Sequence, residues 1–109
     1  MYVPDKGDIV WFNFDPSAGR EIMKRRPAFV ISRKSFNRHT GFAVVAPITS
    51  TKRGMKLEVV LPDTLQTTGA VLVHQLRSLD FKSRQIELIE KASEDVTSEV
   101  TNLSVAIIG

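Results

Sequence analysis

The chain has 109 residues, 42% of them hydrophobic and 25% charged, which suits one globular domain spanning 1–109 and leaves no room for separate cofactor and substrate domains. It contains no cysteine, which excludes a disulfide framework, a thiolate metal site and a cysteine nucleophile, and suits a reducing cytoplasm. The net charge of +3 is unevenly spread: Arg20, Lys24, Arg25, Arg26, Arg33, Lys34 and Arg38 cluster before His39, whereas Glu87, Glu90, Glu94, Asp95 and Glu99 follow Gln85 with only Lys91 against them. A basic half and an acidic tail suit a polyanion on one face, nucleic acid being the commonest, and on charge alone a solvated basic loop reads equally well.

Met1-Tyr2-Val3-Pro4-Asp5 reaches a proline and an acid at once, and no apolar stretch approaches the roughly 20 residues that span a bilayer, so no export signal or membrane segment is expected. From there, short apolar runs bounded by turn residues follow too closely for helices to lie between them. They predict a compact antiparallel β barrel or sandwich with strands over 8–14, 27–32, 42–50, 57–61, 70–76 and 85–89. Asp15-Pro16-Ser17-Ala18-Gly19 is strong turn chemistry, and residues 19–27 read as a mobile basic loop. Residues 33–41 suggest a helical turn or loop, while 51–55 and 62–69 read as loops. The last segment changes period. Val96, Val100, Leu103 and Ile107 recur at four, three and four residues, predicting an amphipathic helix packed by those four side chains, with Ser93 as N-cap and Glu94 and Asp95 suiting its N-terminus.

Known catalytic patterns are scarce. The two histidines, His39 and His74, form no ligand pair, and the nearest carboxylate pairs, Asp5 with Asp8 and Glu94 with Asp95, suit a strand start and a helix cap. The glycines fall singly, so no phosphate loop is expected, and no nucleophile elbow surrounds any serine. What remains is the basic loop with the strand ends beside it. Arg26 precedes Pro27, which holds its backbone extended at the mouth of a strand. A guanidinium so placed suits a phosphate, although on this residue alone an ordinary surface arginine is the preferred reading. Pro47 interrupts the next strand as at a bulge or edge, and Thr49 and Ser50 put hydroxyls where that strand ends.

In this order these residues resemble the MazF/PemK family of toxin endoribonucleases of bacterial toxin–antitoxin pairs. The likeness runs nearly end to end, through Gly7-Asp8-Ile9-Val10-Trp11, Asp15-Pro16 with Gly19 and Glu21, Arg26-Pro27, Asn37, Ala46-Pro47-Ile48-Thr49, Gln75-Leu76-Arg77-Ser78-Leu79-Asp80 and the final helix. The resemblance implies an SH3-like barrel with a C-terminal helix, and a homodimer with RNA across its interface. It also implies metal-independent, cofactor-free cleavage of single-stranded RNA, usually mRNA, and a cognate antitoxin of the MazE/PemI kind covering the basic groove.

Arg26 and Thr49 match the family's catalytic positions and Glu21 an acidic position proposed as a base. His74 stands where relatives often carry Asp or Glu; it is a candidate proton shuttle, against the plainer reading of a hydrogen-bonded strand histidine. Arg20, Lys24, Arg25, Ser50, Lys52, Arg53, Gln75 and Arg77 are the expected RNA contacts. The chain departs from the family at Ile22-Met23-Lys24-Arg25, where many members have a glutamine and glycines. Two other readings stay open: a non-catalytic, gyrase-binding toxin like the CcdB family, and an SH3-like module that binds RNA or peptide without cutting.

Overall fold

The computed structural model describes residues 1–16, 19, 24–50 and 57–109. Along these residues the chain forms β1 (Asp8–Asn13), β2 (Arg25–Val30), α1 (Lys34–Thr40), β3 (Phe42–Thr49), β4 (Glu58–Val60), β5 (Ala70–Leu72), a 3-10 turn (Val73–Gln75), β6 (Arg77–Asp80), β7 (Glu87–Lys91) and α2 (Glu94–Ile108). Among the described residues every strand pair is antiparallel, in the order β7, β1, β2, β3, β5, β4, with β6 also on β3. The fold is therefore mainly β with a C-terminal helix, as expected from the runs.

Strand β3 is the spine. One edge pairs β2 through Ala28 opposite Pro47 to Val30 opposite Val45. The other edge changes partner along its length, pairing β6 over Phe42–Val45 and β5 over Ile48–Thr49. Pro47, which has no N–H to donate, falls in the gap between those two ladders. It thus sits inside the sheet at a change of partner, on a strand paired along both edges.

The apolar runs fill both faces of this folded sheet. Ile9, Phe29, Ala46, Ile48, Val59, Val71 and Val73 pack together on one side with Val96 and Val100 of α2. Val10, Phe12, Phe14, Ala28, Val30, Val45, Leu79 and Phe81 pack on the other. This explains why β1 reads as a continuous apolar run: its successive side chains face opposite ways into two cores.

Four sequence expectations need correction. The run 70–76 is a strand only to Leu72, because the chain then tightens into the 3-10 turn; a separate strand, β6, follows with Leu79 as its buried apolar residue. The last expected strand starts later and ends at Lys91. Residues 34–40 make a true helix, closed by Gly41 in the left-handed region (φ 76°), whose N–H donates to the Asn37 carbonyl. In α2, Val96 and Val100 are buried and Leu103 packs on the core, but Ile107 is 41% exposed. The helix outruns the barrel at its last turn, and Ser104 is buried instead, its hydroxyl donating to the Val100 carbonyl at 2.8 Å. Ser93 caps α2 as expected, its side chain accepting from the Val96 N–H.

Asn37, completely buried, ties α1 to the N-terminal segment by donating from Nδ2 to the carbonyls of Pro4 (2.8 Å) and Ser32 (3.1 Å). A polar corner completes this end. Asp8, 6% exposed, accepts from the Tyr2 hydroxyl at 2.5 Å and the Asp5 N–H at 2.9 Å, and pairs with Lys91 Nζ at 3.2 Å. Lys91 also meets Asp5 at 3.3 Å and donates to the Lys6 carbonyl at 2.8 Å.

Candidate active site and nucleic-acid interface

At the opposite end of these strands, β1 and β2 pair Trp11 with Pro27 and Phe12 with Arg26. The β2–β3 ladder ends at Ala28 opposite Pro47, two residues short of Arg26 on one strand and of Thr49 on the other. The two expected catalytic residues therefore lie at neighbouring strand ends, Arg26 near the start of β2 and Thr49 at the end of β3, on the rim beyond that ladder. Arg26 is half-buried and Thr49 is 6% exposed.

A groove of about 470 Å³ adjoins this rim. It is lined by Arg26, Pro27, Ile48 and Ser50, by Trp11 and Ile89, and by a wall of three successive residues, Gln66, Thr67 and Thr68. Trp11 is 37% exposed, and the Arg25 guanidinium carbon stands 5.3 Å from its ring centroid. That guanidinium also meets Glu87 at 3.1 Å and the Gln85 carbonyl at 3.2 Å. Arg25 thus holds a stacked, paired position beside the groove.

The wall is held at both ends. Glu90 of β7 accepts the Gln66 N–H at 3.0 Å, the Thr67 N–H at 2.8 Å and the Thr67 hydroxyl at 2.7 Å. Burial raises the pKa of this carboxyl, but those donors favour its charged form more strongly and hold it below the ordinary carboxylate range. At the other end Gly69 has φ +121°, and a Cβ there would lie 2.0 Å from the Thr49 carbonyl oxygen. Only glycine allows that approach. The wall is thereby pressed against the strand end that carries Thr49.

The base of the loop after β1 is fixed as well. Asp15 accepts the Lys24 N–H at 2.8 Å, and Arg84 donates to the carbonyls of Asn13 (3.2 Å) and Asp15 (2.9 Å). Lys24 is exposed, with φ 70°. Arg20, Glu21, Lys52 and Arg53 lie outside the described residues. His74 is exposed on the 3-10 turn and is not among the groove's lining residues; Gln75 and Arg77, half-buried, are not among them either. Among the described residues no three His, Asp or Glu side chains gather where they could hold a metal ion, and no helix is long and apolar enough to cross a membrane.

Residues 5–106 match the model of the PemK-like, MazF-like toxins of type II toxin–antitoxin systems. The chain belongs to this family. Among relatives of the PemK/MazF toxins, the endoribonuclease toxin MazF of Escherichia coli (strain K12) is 39% identical over 83 residues, covering 76% of this chain and 74% of the relative. The crystal structure of MazF from Deinococcus radiodurans superposes with a TM-score of 0.95 at 43% identity, covering 100% of this chain and 99% of that one. A MazE–MazF crystal structure from the same organism gives 0.88, also at 43% identity, covering 100% and 98%.

Of the residues that line or hold the groove, sequence reasoning singles out Arg26 and Ser50 as site candidates, but not Trp11, Gln66, Thr67, Thr68 or Glu90. The turn residues of 62–69 mark a loop, yet nothing local shows that it shares a groove with Arg26.

Proposed function

We propose that the chain is a toxin endoribonuclease that cleaves single-stranded RNA, mRNA in particular, at short sequences without a metal ion, acts in the cytoplasm as a homodimer, and is neutralised by a MazE/PemI-like antitoxin. The observation that carries this reading is the open groove lined by Arg26 and, from the end of β3, by Ile48 and Ser50 on either side of Thr49, in a chain whose relatives are named endoribonucleases. That last point also weighs against a non-catalytic, gyrase-binding toxin.

The RNA supplies its own nucleophile. Its 2′-OH attacks the adjacent phosphorus, a P–O2′ bond forms as the P–O5′ bond breaks, and the products are a 2′,3′-cyclic phosphate and a 5′-OH end. One proton leaves the 2′-OH and one reaches O5′. The enzyme must align these atoms and stabilise the extra charge on phosphorus oxygens. Arg26 provides a permanent planar cation for that charge, and the Thr49 hydroxyl a hydrogen bond to a non-bridging oxygen. Arginine is a poor proton donor, so Glu21 is the candidate base and His74 the candidate shuttle. Arg20, Lys24, Arg25, Ser50, Lys52, Arg53, Gln75 and Arg77 are assigned to the RNA backbone and its flanking nucleotides.

The homodimer has an available surface. Phe36 of α1 and Val105 and Ile108 of α2 line an apolar groove of about 420 Å³ with Ile31 and Val44, the kind of patch a partner covers. Phe36→Asp should shift the sedimenting species toward monomer. For activity, 5′-labelled RNA incubated with the protein in EDTA should give discrete fragments whose new 5′ ends accept phosphate from a kinase. Intact RNA in EDTA but cleavage on adding Mg²⁺ would refute the mechanism.

A further inference from the structure

Resting on that functional reading, we infer that the 66–68 wall reads one base beside the cut, through the side chains of Gln66 and Thr68, and that Glu90 is the positioning residue that holds the wall in reading geometry. Three observations converge. First, Arg26 itself lines the groove, so an RNA strand with its scissile phosphate at Arg26 sends a neighbouring nucleotide into it. Second, Trp11 gives the groove aromatic surface, and Gln66 and Thr68 give it an amide and a hydroxyl. That pairing of a stacking surface with polar groups aimed at a base edge is how unstacked single-stranded bases are distinguished. Gln66 and Thr68 are both exposed, and neither side chain has a hydrogen-bond partner among the described residues.

Third, the wall is built to stay still. Thr67, between the two exposed residues, is 9% exposed and turned onto Glu90 through both its N–H and its hydroxyl. The Glu90 carboxylate thereby fixes two successive peptide units from a strand 23 residues away. A reading surface needs such preorganisation, because a loose loop would adapt to any base.

The test is cleavage of a randomised single-stranded RNA pool under single-turnover conditions, with the new 5′-OH ends sequenced for wild type, Gln66→Ala, Thr68→Val and Glu90→Gln. The wild type should show a base preference at a position flanking the cut. A paired contact to a base edge discriminates by about 1–3 kcal/mol, so Gln66→Ala should reduce that preference by at least about fivefold at that one position. Thr68→Val should act at the same position. Glu90→Gln keeps the size but presents an amide to N–H donors, so it should blur the same position by a smaller factor. General loosening would instead slow every sequence alike. Wild-type cleavage with all position preferences unchanged in both Gln66→Ala and Thr68→Val would overturn this inference and leave the ribonuclease reading intact. A wild type that cuts no RNA would overturn both.

Discussion

Glu90 and Lys91 are consecutive on β7 and anchor different parts of the molecule. Strand alternation turns them to opposite faces, opposite Ile9 and Asp8 of β1 respectively. Glu90 gathers backbone donors of the 66–67 wall, while Lys91 ties Asp5, Asp8 and the Lys6 carbonyl into the N-terminal corner. One holds a functional surface in place and the other holds the fold together. The two chemistries are alike, so their consequences should differ only through what each anchors.

The strongest challenge to that division is Asp8→Ala. It removes the acceptor of the Tyr2 hydroxyl, the Asp5 N–H and the Lys91 ammonium at a buried position, and should lower stability by about 2–4 kcal/mol in urea unfolding. The base preference of the surviving folded enzyme should not move; a changed preference would show that the corner and the groove are coupled. Next in size, Arg26→Ala should slow single-turnover cleavage by roughly 10²-fold while weakening the binding of a non-cleavable RNA far less. Arg26→Lys should recover part of that rate because it restores charge without the planar fork, and Thr49→Val should lower the rate less than Arg26→Ala does.

The pH dependence of unfolding should separate the two anchors again. Burial raises the Asp5 carboxyl, but the N–H groups of Lys34 and Lys6 and the Lys91 ammonium outweigh it and hold it low. Asp5 and Glu90 both sit below their ordinary values of 3.8 and 4.5, so their contribution is full above those values and is lost as pH falls through the depressed ones. Burial and the Asp8 carboxylate push the Tyr2 phenol far above its ordinary 10.0; burial lowers the Lys91 ammonium, but Asp8 and Asp5 carry it above 10.5. Their contribution is full below those ordinary values and fades as pH rises beyond them. Glu90→Gln should therefore flatten part of the acid limb alone, and Lys91→Met should remove part of the alkaline limb as well as part of the Asp5 share of the acid one. Smallest of all, Arg25→Ala should change stability by less than about 1 kcal/mol, since its bridge to Glu87 is solvent-exposed. It should nonetheless reduce the salt dependence of binding to a non-cleavable RNA, measured by titration, if Arg25 exchanges Glu87 for phosphate.

Most of the fold was legible because burial on two faces leaves its mark in the chain as apolar runs, and a half-buried helix leaves a 3.6-residue period. Strand β6 was hidden because Arg77-Ser78-Leu79-Asp80 contains one apolar residue, and its place in the sheet comes from pairing with β3 rather than from its own pattern. Ile107 fitted the helical period, but a period cannot say where the barrel stops. Arg26 and Thr49 stood out as site candidates through the family resemblance, since the residues alone read more simply as a surface arginine and a strand end. Glu90 was read as one more charge of an acidic tail, since its partners lie on a distant loop and no local spacing encodes a contact across 23 residues. A charge count describes a surface, whereas the role of a carboxylate depends on which donors the fold brings to it.

Gly69 sets a boundary on how this protein can be altered. With a missing side chain pressed against the Thr49 carbonyl, any other residue at that position would displace both the reading wall and the strand end that bears the chemistry. A library meant to retarget cleavage should randomise positions 66 and 68 freely and hold 69 as glycine and 90 as glutamate. Variants that shift sequence choice without losing turnover should then emerge from two positions, while insertions between 66 and 69 should yield inactive enzymes.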